Sequence, residues 1–89
     1  MQERNVIIVN KLGLHARAAA KFVTVASTFS CDIGIVKDGQ QVNGKSIMGV
    51  MMLAASRGTE LVLTTSGDNE AGAADALEKL IAERFGEHE

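Results

Sequence analysis

The sequence predicts a small α+β domain in which a β-sheet carries α-helices on one face. Three short runs rich in β-branched and aliphatic residues have the length of strands, and a fourth, polar run follows a hairpin signal. Two helical segments lie between these strands and a third follows the last one, so the order along the chain is β-α-β-β-α-β-α. Because the chain has 89 residues and no repeat, low-complexity tract or linker, we expect residues 1–89 to form a single domain with one modest core.

The first strand and the first helix come early in the chain. The β-branched run Val6–Val9, bounded by Asn10, predicts a strand that is buried on both faces or nearly so. From Ala16 to about Thr28, apolar residues recur at the i, i+3, i+4 and i+7 spacing of an amphipathic helix. These apolar positions are Ala19, Phe22, Val23 and Ala26.

The middle of the chain predicts a hairpin. Ile33–Val36 is expected to be the second strand, and the dipeptide Asp38-Gly39 is typical of a two-residue hairpin turn. Gln40–Asn43 would then return as a short, polar edge strand.

The last two elements are a strand and a helix. Leu61–Thr65 predicts the fourth strand, and a turn follows at Ser66–Asp68. Leu77, Leu80 and Ile81 then mark a final amphipathic helix that we expect to end at Gly86.

A brief helix is expected over Ser46–Ala55. Ser46 is a natural N-cap, Gly58 is a stop signal, and Arg57 would lie near the negative end of the helix. The segment has no polar face, since its side chains are Ile47, Met48, Val50, Met51, Met52, Leu53, Ala54 and Ala55. One side should pack on the sheet and the other should remain partly exposed as a docking surface, although complete burial is the alternative.

Composition excludes several classes of function. A formal net charge of −2 argues against a global attraction to nucleic acid or to anionic membranes, and the absence of Trp and Tyr argues against a base-stacking surface. The single Cys31 precedes an apolar run and is expected to be a buried, reduced thiol. The apolar stretch after the N-terminus is too short for a signal peptide or a membrane span, so we expect a cytoplasmic protein.

His15 is the candidate for chemistry, because it is expected at the start of the first helix. Unpaired N–H groups and the helix dipole make such a position a ready anion site, and the dipole favours the neutral, nucleophilic imidazole. A phosphoryl group on the ring would meet these amides, and Arg17 could add a charge-assisted contact. The alternative is that His15 is only a surface or capping residue. The other histidine, His88, is at a C-terminus expected to fray, and no cysteine or carboxylate is near His15 in the sequence, so neither a metal site nor a catalytic triad is expected.

A second motif matches the P-loop pattern G-x-x-x-x-G-K-[ST] letter for letter over residues Gly39–Ser46. The pattern needs a phosphate-binding loop between a parallel strand and a long helix. Here its four middle residues are expected to form an edge strand after a hairpin turn, so we reject a nucleotide-binding site.

Taken together, these segments resemble the HPr family of histidine-containing phosphocarriers of the bacterial phosphoenolpyruvate:sugar phosphotransferase system. The resemblance covers the whole chain and is carried by two motifs, Asn10–Ala20 around His15 and Gly44–Leu53 around Ser46. It implies an open-faced β-sandwich whose four antiparallel strands have the order 1-4-2-3 and carry three helices. Ala18 stands where many family members have proline, which loosens the helix start slightly.

The resemblance implies a role for each site residue. His15 would accept a phosphoryl group from phosphorylated enzyme I and pass it to an EIIA protein or domain, and Arg17 would steady the phosphate. Ser46 would be the regulatory phosphorylation site of HPr kinase/phosphorylase. Residues expected to meet the partners are Ala20, Lys21, Lys45, Ile47, Met48 and Met51. We also expect Arg17, Lys21 and Lys45 to ring the histidine, and we expect a monomer that needs no cofactor or metal.

Two other hypotheses stay open at this point. The alanine-rich segment around His15 is also similar to the nitrogen-related branch of the same system (NPr), whose output is regulatory and involves no sugar transport. Alternatively, the protein is a binding module that acts through Ser46 alone, with His15 incidental.

Overall fold

The element order of the protein agrees with the prediction. The structure, a computed structural model, describes residues 1–89. Its elements are β1 (Gln2–Ile7), α1 (Ala16–Ala26), β2 (Asp32–Lys37), β3 (Gln40–Asn43), α2 (Ile47–Met52), β4 (Glu60–Ser66), α3 (Glu70–Ala82) and a final turn at Arg84–Gly86.

The four strands form one antiparallel sheet with the order β1-β4-β2-β3. The register places Val6 opposite Leu61 and Ile35 opposite Leu63, so that the aliphatic side chains of neighbouring strands share one face. The three helices cover that face and leave the other open. The predicted open-faced α+β sandwich, including its strand order, is therefore confirmed.

The core lies between the sheet and the helices. Phe22 of α1, Val50 of α2 and Leu77 of α3 are all fully buried and pack against the aliphatic face of the sheet. Phe85, from the turn after α3, is equally buried and closes the core at one end. Cys31 is buried and unpaired, as predicted.

The first strand differs from its prediction. It runs from Gln2 to Ile7 rather than over Val6–Val9, and its residues alternate between the two faces of the sheet. Ile7 is 50% exposed because it points to the open face, where no helix packs. Burial on both faces was therefore wrong, since a sheet with helices on only one side buries alternate residues.

The short helix is also shorter than predicted. α2 ends at Met52, because Ala54 adopts a left-handed backbone conformation with φ of 49°. The cation at its negative end is not Arg57 but Lys37, whose Nζ donates a hydrogen bond to the Leu53 carbonyl at 2.9 Å. Only Val50 of this helix is buried, so the predicted partial exposure is confirmed and the alternative of complete burial was wrong.

The end of the chain departs most from its prediction. α3 ends at Ala82 instead of continuing to Gly86, and a separate turn follows in which Arg84, Phe85 and Gly86 all have positive φ. The residues after the turn are not frayed, because the Lys11 amide donates to the main-chain oxygen of Glu89 at 2.6 Å.

The segment that matches the P-loop pattern has the predicted non-nucleotide geometry. Gly39 lies in the hairpin turn, Gln40–Asn43 form the edge strand β3, and Ser46 caps a helix of only six residues. None of the helices is both long and apolar enough to cross a bilayer.

Candidate functional site

His15 is the N-cap residue of α1, as the sequence predicts. Its backbone is extended, and its side chain makes no capping hydrogen bond, so the imidazole is free to point away from the helix. The first-turn amides of α1 lie next to it. The side chain is 28% exposed, which leaves it reachable from solvent.

The loop before His15 is held in place by close backbone packing. Leu14 N donates a hydrogen bond to the Ala55 carbonyl at 2.9 Å, and the Leu14 side chain is buried. Gly13 has a φ of 68°, and a Cβ there would lie 2.4 Å from the Ala55 oxygen. Only glycine fits this position, and its neighbour Leu14 anchors the chain directly before the histidine.

The nearest side chain to the imidazole comes from the far end of the chain. Glu87 Oε2 lies 2.5 Å from His15 Nε2, and Glu87 Oε1 accepts a hydrogen bond from Asn10 Nδ2 at 3.1 Å. Asn10 is fully buried and also donates to the Gly13 carbonyl at 2.8 Å. No carboxylate lies near His15 in the sequence, but the fold brings one from 72 positions away into contact with the imidazole. Sequence spacing carries no signal for this contact, because it depends on the left-handed turn that brings the C-terminus back to the loop.

The Glu87 carboxyl group is ionised more readily than usual. Burial raises the pKa of Glu87, but hydrogen bonds from His15 and Asn10 and the nearby positive charge of Lys21 lower it by more, so that the net pKa of Glu87 is lowered. The negative charge acts on the imidazole in the opposite sense to the helix dipole. The sequence predicts only the dipole, because Glu87 is 72 positions away from His15 in the chain.

An open depression of about 690 Å³ surrounds the imidazole and holds two further cations. Arg17 is exposed and makes no ion pair within the chain. We call this feature the His15 depression, and its lining residues are Lys11, Leu12, His15, Ala16, Arg17, Glu87, His88 and Glu89. An anion that enters it meets Arg17 together with the N-terminus of α1.

Backbone carbonyls hold the other two predicted cations, and only Lys21 lies close to the pair formed by His15 and Glu87. Lys21 Nζ donates a hydrogen bond to the Phe85 carbonyl at 2.7 Å, which ties α1 to the C-terminal turn. Lys45 Nζ donates to the Phe29 carbonyl at 2.6 Å, beyond the other end of α1. Lys45 therefore does not line the His15 depression.

Ser46 and the helix that it caps form a second surface feature. Ser46 Oγ accepts a hydrogen bond from the Gly49 amide at 3.1 Å, which confirms the predicted cap. Ile47, Met48 and Met51 are exposed, and Met48 reaches 71%. Ala20, on the neighbouring helix α1, is half-buried.

Comparison with known proteins gives one consistent result. The family model described as "PTS HPr component phosphorylation site" matches residues 2–83. The phosphocarrier protein HPr of Cupriavidus necator is 53% identical over 89 residues, which span 100% of both chains. The crystal structure of HPr-C-His from Thermoanaerobacter tengcongensis is similar with a TM-score of 0.96 at 49% identity, covering 100% of both chains. The structure of HPr from Bacillus anthracis has a TM-score of 0.87 at 44% identity and covers 90% of this chain and 95% of that one.

Proposed function

Because this chain belongs to the HPr family of the bacterial phosphoenolpyruvate:sugar phosphotransferase system, we propose that it carries a phosphoryl group on His15. Phosphorylated enzyme I supplies the group, and an EIIA protein or domain receives it. The chain is a transiently phosphorylated intermediate of the relay rather than an enzyme. The single observation that carries this proposal is the placement of His15 in an open depression at the N-terminus of α1.

The contact with Glu87 supports a proposal for which ring nitrogen reacts. An ionised carboxylate only accepts hydrogen bonds, so the short contact at 2.5 Å requires that His15 Nε2 carries a proton. In the neutral imidazole of this tautomer, Nδ1 holds the free lone pair. Nδ1 is therefore the nucleophile that attacks phosphorus.

The surroundings of His15 suit a phosphoryl group on that nitrogen. The unpaired amides in the first turn of α1 carry partial positive charge and favour an anion. Arg17 is exposed and free of ion pairs, so its guanidinium can turn toward the phosphoryl oxygens and steady them. The small side chain of Ala16, directly after His15, lets a partner approach closely.

The exposed side of α2 serves as the docking surface for both partners. Ile47, Met48 and Met51 present flexible apolar side chains that can adapt to enzyme I and to EIIA. Ala20 and Lys21 on α1 extend this surface toward His15, and α1 and α2 pack against each other. Lys45 contributes at the opposite edge, away from the reacting group. We also propose that the protein works in the cytoplasm and as a monomer. Self-association over α2 would cover the surface that its partners need.

We propose that Ser46 is a regulatory phosphorylation site. Phosphorylation by an HPr kinase/phosphorylase would add about −1.5 to −2 charges next to the exposed methionines. Such a charge opposes the docking of an acidic partner and slows transfer through His15. The group would stay compatible with the fold, since Ser46 lies at a helix start where negative charge is favoured.

Incubation with enzyme I and phosphoenolpyruvate tests the proposal. We expect the wild-type chain to gain the mass of one phosphoryl group, in a form that acid removes and base does not, and we expect His15→Ala to gain none. His88→Ala is the matched control and should be phosphorylated like the wild type. Absence of phosphorylation in the wild type, or its persistence in His15→Ala, would contradict the proposal.

A further inference from the structure

Both carboxylate oxygens of Glu87 are engaged in the resting protein. Oε2 accepts from His15 Nε2, and Oε1 accepts from Asn10 Nδ2. Asn10 is itself fixed, because it is fully buried and its amide also donates to the Gly13 carbonyl. The carboxylate is thus connected to the loop that precedes the histidine as well as to the imidazole.

The backbone is built to bring Glu87 to this place. Three consecutive residues, Arg84, Phe85 and Gly86, have φ values of 59°, 55° and 80°, a conformation that non-glycine residues rarely adopt. The turn is anchored by the fully buried Phe85 ring and by the hydrogen bond from Lys21 Nζ to the Phe85 carbonyl. Strain of this kind persists only where the surrounding contacts hold it, so the position of Glu87 is imposed by the fold.

We propose that Glu87 is a positioning residue for phosphoryl transfer, which fixes the proton on His15 Nε2 and balances the positive charge that the ring acquires on phosphorylation. The inference rests on the proposed function, because it concerns the same histidine. It assigns a role in that reaction to the segment after α3.

Phosphoryl transfer to His15 forms one bond to phosphorus and breaks another. The Nδ1 lone pair of His15 attacks phosphorus, a new N–P bond forms, and the bond between phosphorus and the donor breaks with its electron pair returning to the donor. Because Nε2 keeps its proton, the ring becomes a phosphoimidazolium cation, and Glu87 supplies the opposite charge at hydrogen-bond distance. Donation to an acceptor reverses the sequence, and the protonated ring is the better leaving group.

Other charged groups also face this pair. Lys21 lies close enough to Glu87 for its positive charge to lower the pKa of that carboxyl group. The remaining charged or titratable groups at the His15 depression are Lys11, Arg17, His88 and Glu89. Glu89 pairs with Lys11 at 3.3 Å, and both side chains are largely exposed. Glu87 is therefore the one carboxylate in contact with the imidazole.

The test compares Glu87→Gln with Glu83→Gln, since Glu83 is exposed at the end of α3 and does not line the His15 depression. Each variant removes one negative charge from the same segment, but only the first removes it from the imidazole. Enzyme I and phosphoenolpyruvate phosphorylate each protein, and the phosphorylation rate and the pH dependence of phosphohistidine hydrolysis are measured. An opposite charge at this range shifts a titration by about one unit or more. We expect Glu87→Gln to be phosphorylated roughly tenfold more slowly and to move the midpoint of the hydrolysis profile about one unit toward lower pH.

Glu83→Gln should match the wild type in both measurements. If Glu87→Gln also matches it, the positioning role is overturned while the carrier function stands. If the wild type itself is not phosphorylated, the proposed function fails instead. The ring nitrogens in NMR spectra give an independent readout, since the positioning role predicts the Nε2–H tautomer in the wild type and a loss of that preference in Glu87→Ala. An unchanged tautomer in Glu87→Ala would overturn the role even if the rate fell.

Discussion

Glu87 Oε2 lies 2.5 Å from His15 Nε2, although the two residues are 72 positions apart in the chain. The contact makes the segment after the last helix a wall of the His15 depression. The site is thus assembled from three parts of the chain: the loop before α1, the first turn of α1 and the C-terminal residues. Each part is held by its own hydrogen bonds, which leaves the imidazole fixed on one side and open on the other.

Replacing Arg17 with alanine should slow phosphoryl transfer and leave the fold intact. The side chain is exposed and makes no ion pair, so its loss removes no contact on which folding depends. A hydrogen bond to a charged group is worth about 1.5–3 kcal/mol, so we expect the rate of transfer from enzyme I to fall roughly 10- to 150-fold. Lys79→Ala, which removes an exposed cation from α3, is the control and should leave the rate unchanged. A large fall in Tm for Arg17→Ala would show instead that the residue is structural.

Substitutions at Ser46 should separate its capping role from the effect of charge. Ser46→Ala removes the hydrogen bond to the Gly49 amide and should cost about 1 kcal/mol of unfolding free energy. Ser46→Asn and Ser46→Asp both keep a capping side chain, but only aspartate adds negative charge beside the docking surface. Repulsion between the added carboxylate and an acidic partner at an exposed interface should cost about 0.2–1 kcal/mol of docking free energy. Ser46→Asp should therefore be phosphorylated at His15 roughly 1.4- to 5-fold more slowly than Ser46→Asn. Equal rates for the two variants would mean that charge at this position does not oppose docking.

Local patterns predict the fold better than they predict the site. The strand order and the helix positions follow from apolar periodicity and turn residues, and His15 and Ser46 were both placed correctly at helix starts. The contact between Glu87 and His15 could not be predicted from the sequence. It depends on the left-handed backbone conformation of two non-glycine residues, Arg84 and Phe85, which no local pattern specifies. Lys45 was predicted near His15, but its ammonium group instead donates a hydrogen bond to the Phe29 carbonyl. No local sequence pattern specifies this contact either.

Gly13 should be far less tolerant of a side chain than Gly39, although both have positive φ. A Cβ at Gly39 meets nothing within 4 Å, so Gly39→Ala should cost only the left-handed backbone penalty of about 1–2 kcal/mol. At Gly13 the Cβ would also lie 2.4 Å from the Ala55 oxygen, and such overpacking adds about 1–3 kcal/mol. Urea denaturation measures both losses. Equal values would show that the loop before His15 can move away from Ala55.

The free energy of unfolding should fall in acid, partly through Glu87. Its pKa is lowered in the folded protein, so the stability that it contributes is complete above the unfolded pKa and is lost as the pH falls through the folded pKa. Glu70 behaves in the same way, because a hydrogen bond from the N-terminal amine and another from the Gly67 amide lower its pKa. Urea midpoints at neutral pH and at roughly pH 3 should therefore differ less for Glu87→Gln than for the wild type. An equally large difference in the variant would mean that Glu87 contributes nothing to the acid response.

In the proposed relay His15 both accepts and donates the phosphoryl group, and transfer from the purified phosphorylated protein depends on both steps. The chain is phosphorylated with radiolabelled phosphoenolpyruvate and enzyme I, separated from both, and mixed with an EIIA protein of the sugar branch or of the nitrogen-related branch. We expect the label to leave this chain and to appear on the sugar-branch EIIA. Transfer to the nitrogen-branch protein alone would assign the chain to the regulatory branch. Label that stays on His15 with both acceptors would contradict the carrier function.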